Sequence, residues 1–130
     1  MQTKYNQDDP RKIASAALQV FFSLSKEWDL STDNEQALLG FPVQEQFFSW
    51  KKFQTADSLS DDILERISYL MNIHKSLVNL LPSSGSPGKW LKVPNNAPIL
   101  SGETALNKML SGNIEDISEI YRYLDSESNS

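Results

Sequence analysis

At 130 residues the chain suits one domain, or two small lobes sharing a core, and 39% hydrophobic with 10% aromatic residues is enough to build one. Cysteine is absent, which excludes disulfides, thiolate metal sites and cysteine nucleophiles. The net charge of −5 is spread along the chain, with six Lys and Arg against eight Asp and Glu through Ser58 and six against nine beyond it, which argues against unaided phosphate neutralisation on nucleic acid.

No apolar run approaches the ~20 residues of a membrane helix, and the polar stretch Met1 to Asp9 has no signal-peptide core. A cytoplasmic protein without membrane attachment is the expectation.

Asp9-Pro10 reads as a helix start, because Asp caps and Pro fits the first helical position. Ala14, Ala17, Leu18, Phe21, Leu24 and Trp28 then recur at helical spacing, with Ile13 and Val20 widening the stripe. Thr32-x-x-Glu35 has capping-box spacing and opens a short second helix that Gly40 ends. Val43, Phe47, Trp50 and Phe53 form the predicted apolar face of a third helix. Two short helices across a Gly-containing turn make this pair helix-turn-helix-like. Gln44, Gln46, Ser49, Lys51 and Lys52 are then the outward candidates for DNA contact, beside Glu45.

Ser60-Asp61-Asp62 caps the central helix, whose predicted stripe is Ile63, Ile67, Leu70, Met71, His74, Leu77, Val78 and Leu81, with Pro82 as its stop. His74 is read as a boundary residue with one hydrogen bond. Residues 83–88 are Ser, Gly and Pro only and read as a turn. Trp90 opens a single helical turn before Pro94. The segment from Trp90 to Leu106 is too rich in Pro, Gly and Asn for one helix and too apolar for a free linker. It is expected to lie pinned across the helices by Trp90, Leu91, Val93, Ile99, Leu100 and Leu106. Ser101 or Gly102 starts the next helix, carrying Ala105, Leu106, Met109 and Leu110. Asn113 caps the last, with Glu115 and Asp116 in its first turn and Ile114, Ile117, Ile120, Tyr121 and Leu124 as its stripe. Asp125 to Ser130 is a polar tail expected to fray. With no β alternation, the fold class is all-α. The predicted division is an N-terminal helix-turn-helix-like part, 1–58, and a C-terminal part, 59–130.

With these residues placed, the stretch from Trp28 to Asp125 resembles the Xre/MbcA/ParS family of bacterial antitoxins. The resemblance rests on Gln36-Ala37-Leu38-Leu39-Gly40-Phe41, a helix ending in Trp50, and Trp90-Leu91-Lys92-Val93-Pro94-Asn95. Gly102 to Leu106, Leu110-Ser111-Gly112 and Tyr123-Leu124-Asp125 complete it. The chain departs from the family pattern at Ala105, where Pro is common, at His74, where an aromatic is common, and in Asn95-Asn96-Ala97-Pro98.

The resemblance implies a non-enzymatic antitoxin of a type II toxin-antitoxin pair. It would bind and occlude a RES-type toxin that degrades NAD, through the C-terminal part, and would dimerise through the N-terminal part, which in many members of the family also represses the operon by binding operator DNA. Trp90, Asn95, Asn96, Gly102, Arg122, Tyr123 and Asp125 are the candidate toxin contacts. Trp90 also reads as a plug of its own core, Asn95 and Asn96 as turn caps, and Gly102 as a backbone requirement. The alternative function is a DNA-binding transcriptional regulator with a C-terminal dimerisation domain. No cofactor, metal site or catalytic residue is implied: the paired acids sit at helix starts, and no nucleophile grouping or P-loop is present.

Overall fold

A computed structural model describes residues 9–129, so the expectations for the polar N-terminus before Asp9 and for Ser130 lie outside it. The described chain is all-α. Its helices are α1 (Pro10–Trp28), α2 (Thr32–Leu38), α3 (Gln44–Phe53), α4 (Asp61–Leu80), α5 (Pro87–Leu91), α6 (Ala105–Met109) and α7 (Ile114–Ser128). Among the described residues the one departure from helix and loop is an isolated antiparallel bridge between Pro94 and Thr104.

The starts follow local chemistry. Asp9 accepts from the Arg11 amide at 3.0 Å with Pro10 in the first turn, and Ser60 accepts from the Ile63 amide at 3.1 Å. The second helix begins one residue earlier than Thr32 predicts. Ser31 is the cap: its hydroxyl accepts from the Asn34 backbone amide, and the Asn34 side-chain Oδ1 accepts from the Ser31 backbone amide. Ser31 and Thr32 are both capping types, and Asn34 closes the box in place of Glu35.

Glu35 instead turns inward, almost wholly buried. It accepts from the Ser25 hydroxyl at 2.5 Å and from Lys51 Nζ at 2.7 Å, and Lys51 also donates to Thr32 Oγ1 at 2.9 Å. A buried carboxylate is tolerable because it is paired and hydrogen-bonded. The network ties α1, α2 and α3 together.

On α3 only Phe47 and Trp50 are buried. Val43 and Phe53 are exposed rather than part of the apolar face. Val43 is the N-cap, off the helical register, and Phe53 lies past the edge of the face that Trp50 closes.

The central helix α4 packs against α7 and α1. Its buried line is Ile67, Leu70, Ile73 and Leu77 with Arg66 and Ser76. Met71 and Val78 face outward, contrary to the predicted stripe. Apolar residues populate two adjacent faces of this helix, and the flanking helices select the one through Ile73.

Arg66 is buried at the joint of the two parts. Its Nε donates to Asp62 at 2.7 Å, Nη2 to the Gly112 carbonyl at 2.8 Å and Nη1 to the Leu38 carbonyl at 3.4 Å. It therefore satisfies carbonyls from the end of α2 and the turn before α7. Gly40 (φ +81°) is a glycine because a Cβ there would lie 2.8 Å from the Arg66 guanidinium carbon. The core passes from Leu18 and Phe47 to Ile117 and Leu124 without a break at residue 58.

The C-terminal part differs from expectation in three places. Pro87 and Gly88 belong to α5, capped by Ser86, so Trp90 sits inside that helix rather than opening it. Thr104, not Ser101 or Gly102, caps α6: its hydroxyl accepts from the Asn107 amide at 2.9 Å. The polar tail continues α7 to Ser128, and Asn129 Nδ2 donates to the Asp125 carbonyl at 2.9 Å. Asn113 holds the cap position of α7 without a side-chain capping bond.

Candidate functional site

The end of α4, helix α5, the loop after it and the end of α7 enclose a shallow hollow of about 230 Å³. Its lining includes Leu80, Leu81, Trp90, Asn95, Tyr123 and Glu127, over the buried Leu77 and Leu124. Trp90, Asn95 and Tyr123, separated by up to 33 positions in the chain, are thus brought together.

Each is placed by an identifiable local device. Trp90 rides on α5, which is pressed onto the end of α1. Gly88 is buried there, and a Cβ on it would lie 2.9 Å from Trp28 Cα, so only glycine allows this approach. Leu91 is buried on the inner side of the same turn, and Lys92 Nζ donates to the Asp29 carbonyl at 2.8 Å. Underneath, Trp28 Nε1–H donates to His74 Nδ1 at 2.9 Å, and His74 Nε2 lies 3.0 Å from Glu27. Trp can only donate, so His74 must accept at Nδ1 and carry its proton on Nε2. His74 has two partners rather than one.

Asn95 is held by its backbone and by an Asx turn. Its amide donates to the Glu103 carbonyl at 3.2 Å and its carbonyl accepts from the Gly102 amide at 2.9 Å. Its Oδ1 accepts from the Ala97 amide at 2.8 Å. Among the described residues nothing accepts from its Nδ2, from Trp90 Nε1 or from the Tyr123 hydroxyl. The hollow therefore has an aliphatic floor and a rim of three polar groups without internal partners. Tyr and Trp of this kind, apolar body and free polar tip, suit a surface that meets another molecule.

The remaining candidates lie elsewhere. Asn96 is exposed on the loop. Gly102 is also exposed, and a Cβ there would meet nothing within 4 Å, so the glycine answers its φ of +89° rather than a close neighbour. Arg122 is exposed and donates within α7 to Ser118 Oγ. Asp125 accepts from Asn129 at the helix end. None of these four lines the hollow. Val93, predicted as an anchor, is exposed. Sequence reasoning missed Leu80, Leu81 and Glu127. The two leucines carried a signal, being adjacent at the helix end before Pro82; Glu127 carried none, because the tail gave no helical pattern.

On α3, Gln44, Gln46, Ser49 and Lys52 are exposed. Lys51 is not an outward cation, because its ammonium is committed to Glu35 and Thr32.

A second polar cluster fastens α6 to α7. Lys108 Nζ lies 3.1 Å from Asp116 and 3.5 Å from Glu119, and Ser111 donates to Asp116 at 2.5 Å. The Ser111 hydroxyl, then Lys108, hold the Asp116 carboxyl below its ordinary range against the opposing effect of burial. The bond to Asp116 raises Lys108 in turn. These are structural couplings, and among the described residues no three His, Asp or Glu side chains are grouped to hold a metal ion.

The described chain is a small all-α protein with a shallow hollow on its C-terminal part. The chain is 36% identical over 112 residues to the uncharacterized protein y4oB of Sinorhizobium fredii (strain NBRC 101917 / NGR234), a match covering 86% of this chain and 84% of that protein. It belongs to the family of y4oB. No family model matches the chain, and no solved structure matches it. No described helix is long and apolar enough to cross a membrane.

Proposed function

We propose that this protein is a non-enzymatic antitoxin that binds a RES-type, NAD-degrading toxin and excludes substrate from its active site. The observation that carries the reading is the hollow under Trp90, Asn95 and Tyr123, whose Nε1, Nδ2 and hydroxyl donors have no acceptor among the described residues. Such a rim is matched by a partner that inserts an apolar side chain and offers backbone or carboxylate acceptors to the Asn95 and Trp90 donors. The resemblance to the Xre/MbcA/ParS antitoxins lends the partner its identity. The same stretch, Trp90-Leu91-Lys92-Val93-Pro94-Asn95 with Tyr123-Leu124-Asp125, carries both the resemblance and the hollow.

Growth tests the reading. Expression of the neighbouring reading frame alone should arrest growth, and co-expression of this chain should relieve the arrest. An Asn95→Ala/Tyr123→Ala variant should be made in the cell at the same level and fail to relieve it. A neighbour that is harmless alone would sink the toxin assignment.

A promoter-binding regulator is the second reading, favoured by exposed Gln44, Gln46, Ser49 and Lys52 on one short helix. Withdrawal of Lys51 into the Glu35 network reduces the positive charge available for phosphate contact. Salt-dependent binding of the purified protein to its own promoter would support that reading.

A further inference from the structure

A second hollow, of about 310 Å³, opens where the ends of α1 and α3 meet the buried Glu35 network. Its lining includes Ser25 and Glu35, which are only 3% and 4% exposed. Polar groups held that deeply are normally satisfied. Here capacity is left over. Each Glu35 oxygen accepts one bond of the two it can take, from Ser25 or from Lys51, and the Ser25 hydroxyl accepts none among the described residues. Lys51 uses two of its three protons, on Glu35 and Thr32. Lys26 in the last turn of α1, Asp29 at its end and Gln54 at the end of α3 line the same hollow. Their side chains have no hydrogen-bond or ion-pair partner among the described residues.

The open positions are of both kinds: acceptors on Ser25, Glu35 and Asp29, donors on Lys26, Lys51 and Gln54. The four side-chain charges cancel, so a lone anion or a lone cation meets as much repulsion as attraction. A molecule with both charges on one carbon is matched at each. Phe22 and Leu30 supply the apolar part of the lining.

We propose that this hollow binds a free α-amino acid with an aliphatic side chain. Its ammonium meets Glu35, Ser25 and Asp29, beside the negative ends of α1 and α3. Its carboxylate takes the open proton of Lys51 together with Lys26 and Gln54, and its side chain lies on Phe22 and Leu30. Each charge of the ligand is then hydrogen-bonded to its opposite, which offsets the water it gives up. The volume is at the low end of the range for ligand pockets, about 300–1,000 Å³, which suits so small a molecule. Bound there, the ligand ties the ends of α1 and α3 to Glu35 of α2. The proposal is independent of the antitoxin reading, because none of these residues lines the hollow under Trp90.

Isothermal titration calorimetry of the purified full chain with L-leucine is the test. The expected result is one ligand per chain with a dissociation constant below about 1 mM. Isopentylamine, which lacks the carboxylate, and isocaproate, which lacks the ammonium, should each bind at least about tenfold more weakly. Lys26→Ala and Asp29→Asn should each weaken leucine by about tenfold. Both side chains are exposed, and Asn tolerates the left-handed backbone of Asp29 (φ +55°), so these variants keep the fold, which circular dichroism checks. No binding of leucine or of any other aliphatic amino acid up to about 10 mM overturns the proposal. So does an amine or an acid that binds as tightly as leucine, or leucine binding indifferent to both variants.

Discussion

Arg66 shows how much one side chain can decide. It lies on a long helix and belongs to no predicted apolar stripe, yet it is buried and supplies donors to Asp62, Leu38 and Gly112. Removing it leaves two carbonyls without their donor and a space beneath Gly40. Arg66→Ala should therefore destabilise the fold by about 3 kcal/mol in urea unfolding. Arg66→Lys should recover less than half of that, because an ammonium cannot span three acceptors in a fixed fork. A loss under about 0.5 kcal/mol for Arg66→Ala would show that the bonds contribute nothing net.

Only the i,i+4 partner Asp62 is visible in a one-dimensional pattern; the two carbonyls that hold this buried residue lie 28 and 46 positions away. His74 was half legible. Its solitary place on an apolar stripe marked a boundary residue with a hydrogen bond, but the choice of Trp28 and Glu27 as partners is made by the packing of α1 on α4. The departure at Ala105 is mild on physical grounds. The position is the first of α6, just after the Thr104 cap, where Pro and Ala both fit.

At the scale of elements, the starts of α1 and α4 and the buried faces of α1 and α7 are legible, whereas the starts of α5 and α6 and the face of α4 are not. Asp9-Pro10 and Ser60-Asp61-Asp62 determine starts through bonds within three residues. The face of α4 depends on which neighbours arrive, so Met71 and Val78 were misassigned while Ile73 was passed over. The tail was misread for a similar reason: its polar residues suggest fraying, but continuation from Leu124, fully buried, carries α7 on to Ser128.

Gly88 makes the coupling between elements testable. Gly88→Ala brings a methyl against Trp28 backbone, which cannot yield as a side-chain tip can. The variant should lose about 1–3 kcal/mol of stability and displace Trp90 along with α5. Partner binding should weaken although no contacting residue has changed. Equal stability and binding would mean that α5 relaxes without moving the rim.

The α6–α7 cluster carries a pH signature with a defined sign. The Asp116 carboxyl is lowered, so its contribution is complete above the ordinary aspartate value of 3.8 and disappears as pH falls through the lowered value. Lys108 is raised, so its share is complete below its ordinary 10.5 and fades only as pH climbs through the raised value. Asp116→Asn should therefore destabilise the fold at neutral pH, and the difference from wild type should close as pH falls through the lowered Asp116 value. A gap that stays constant into acid would assign the effect to packing rather than to charge.

At the scale of the whole molecule, the all-α class and most of the helix order were legible in spacing and caps alone. A core shared by residues 1–58 and 59–130 was among the expectations; what was not legible is how it is joined, by Arg66 and by the seat of α5 on α1. The consequence for function is that the Trp90, Asn95 and Tyr123 rim is supported from the N-terminal helix as well as from the helices that carry it. The most direct measurement is a titration. NAD breakdown by the purified product of the neighbouring reading frame would be followed as this protein is added, as wild type and as Trp90→Ala/Tyr123→Ala. The expected result is complete inhibition by wild type near equivalence and at least about a hundredfold more protein needed for the variant. Full NAD breakdown with wild-type protein bound in excess would contradict occlusion. Equal inhibition by the two proteins would move the contact away from the hollow.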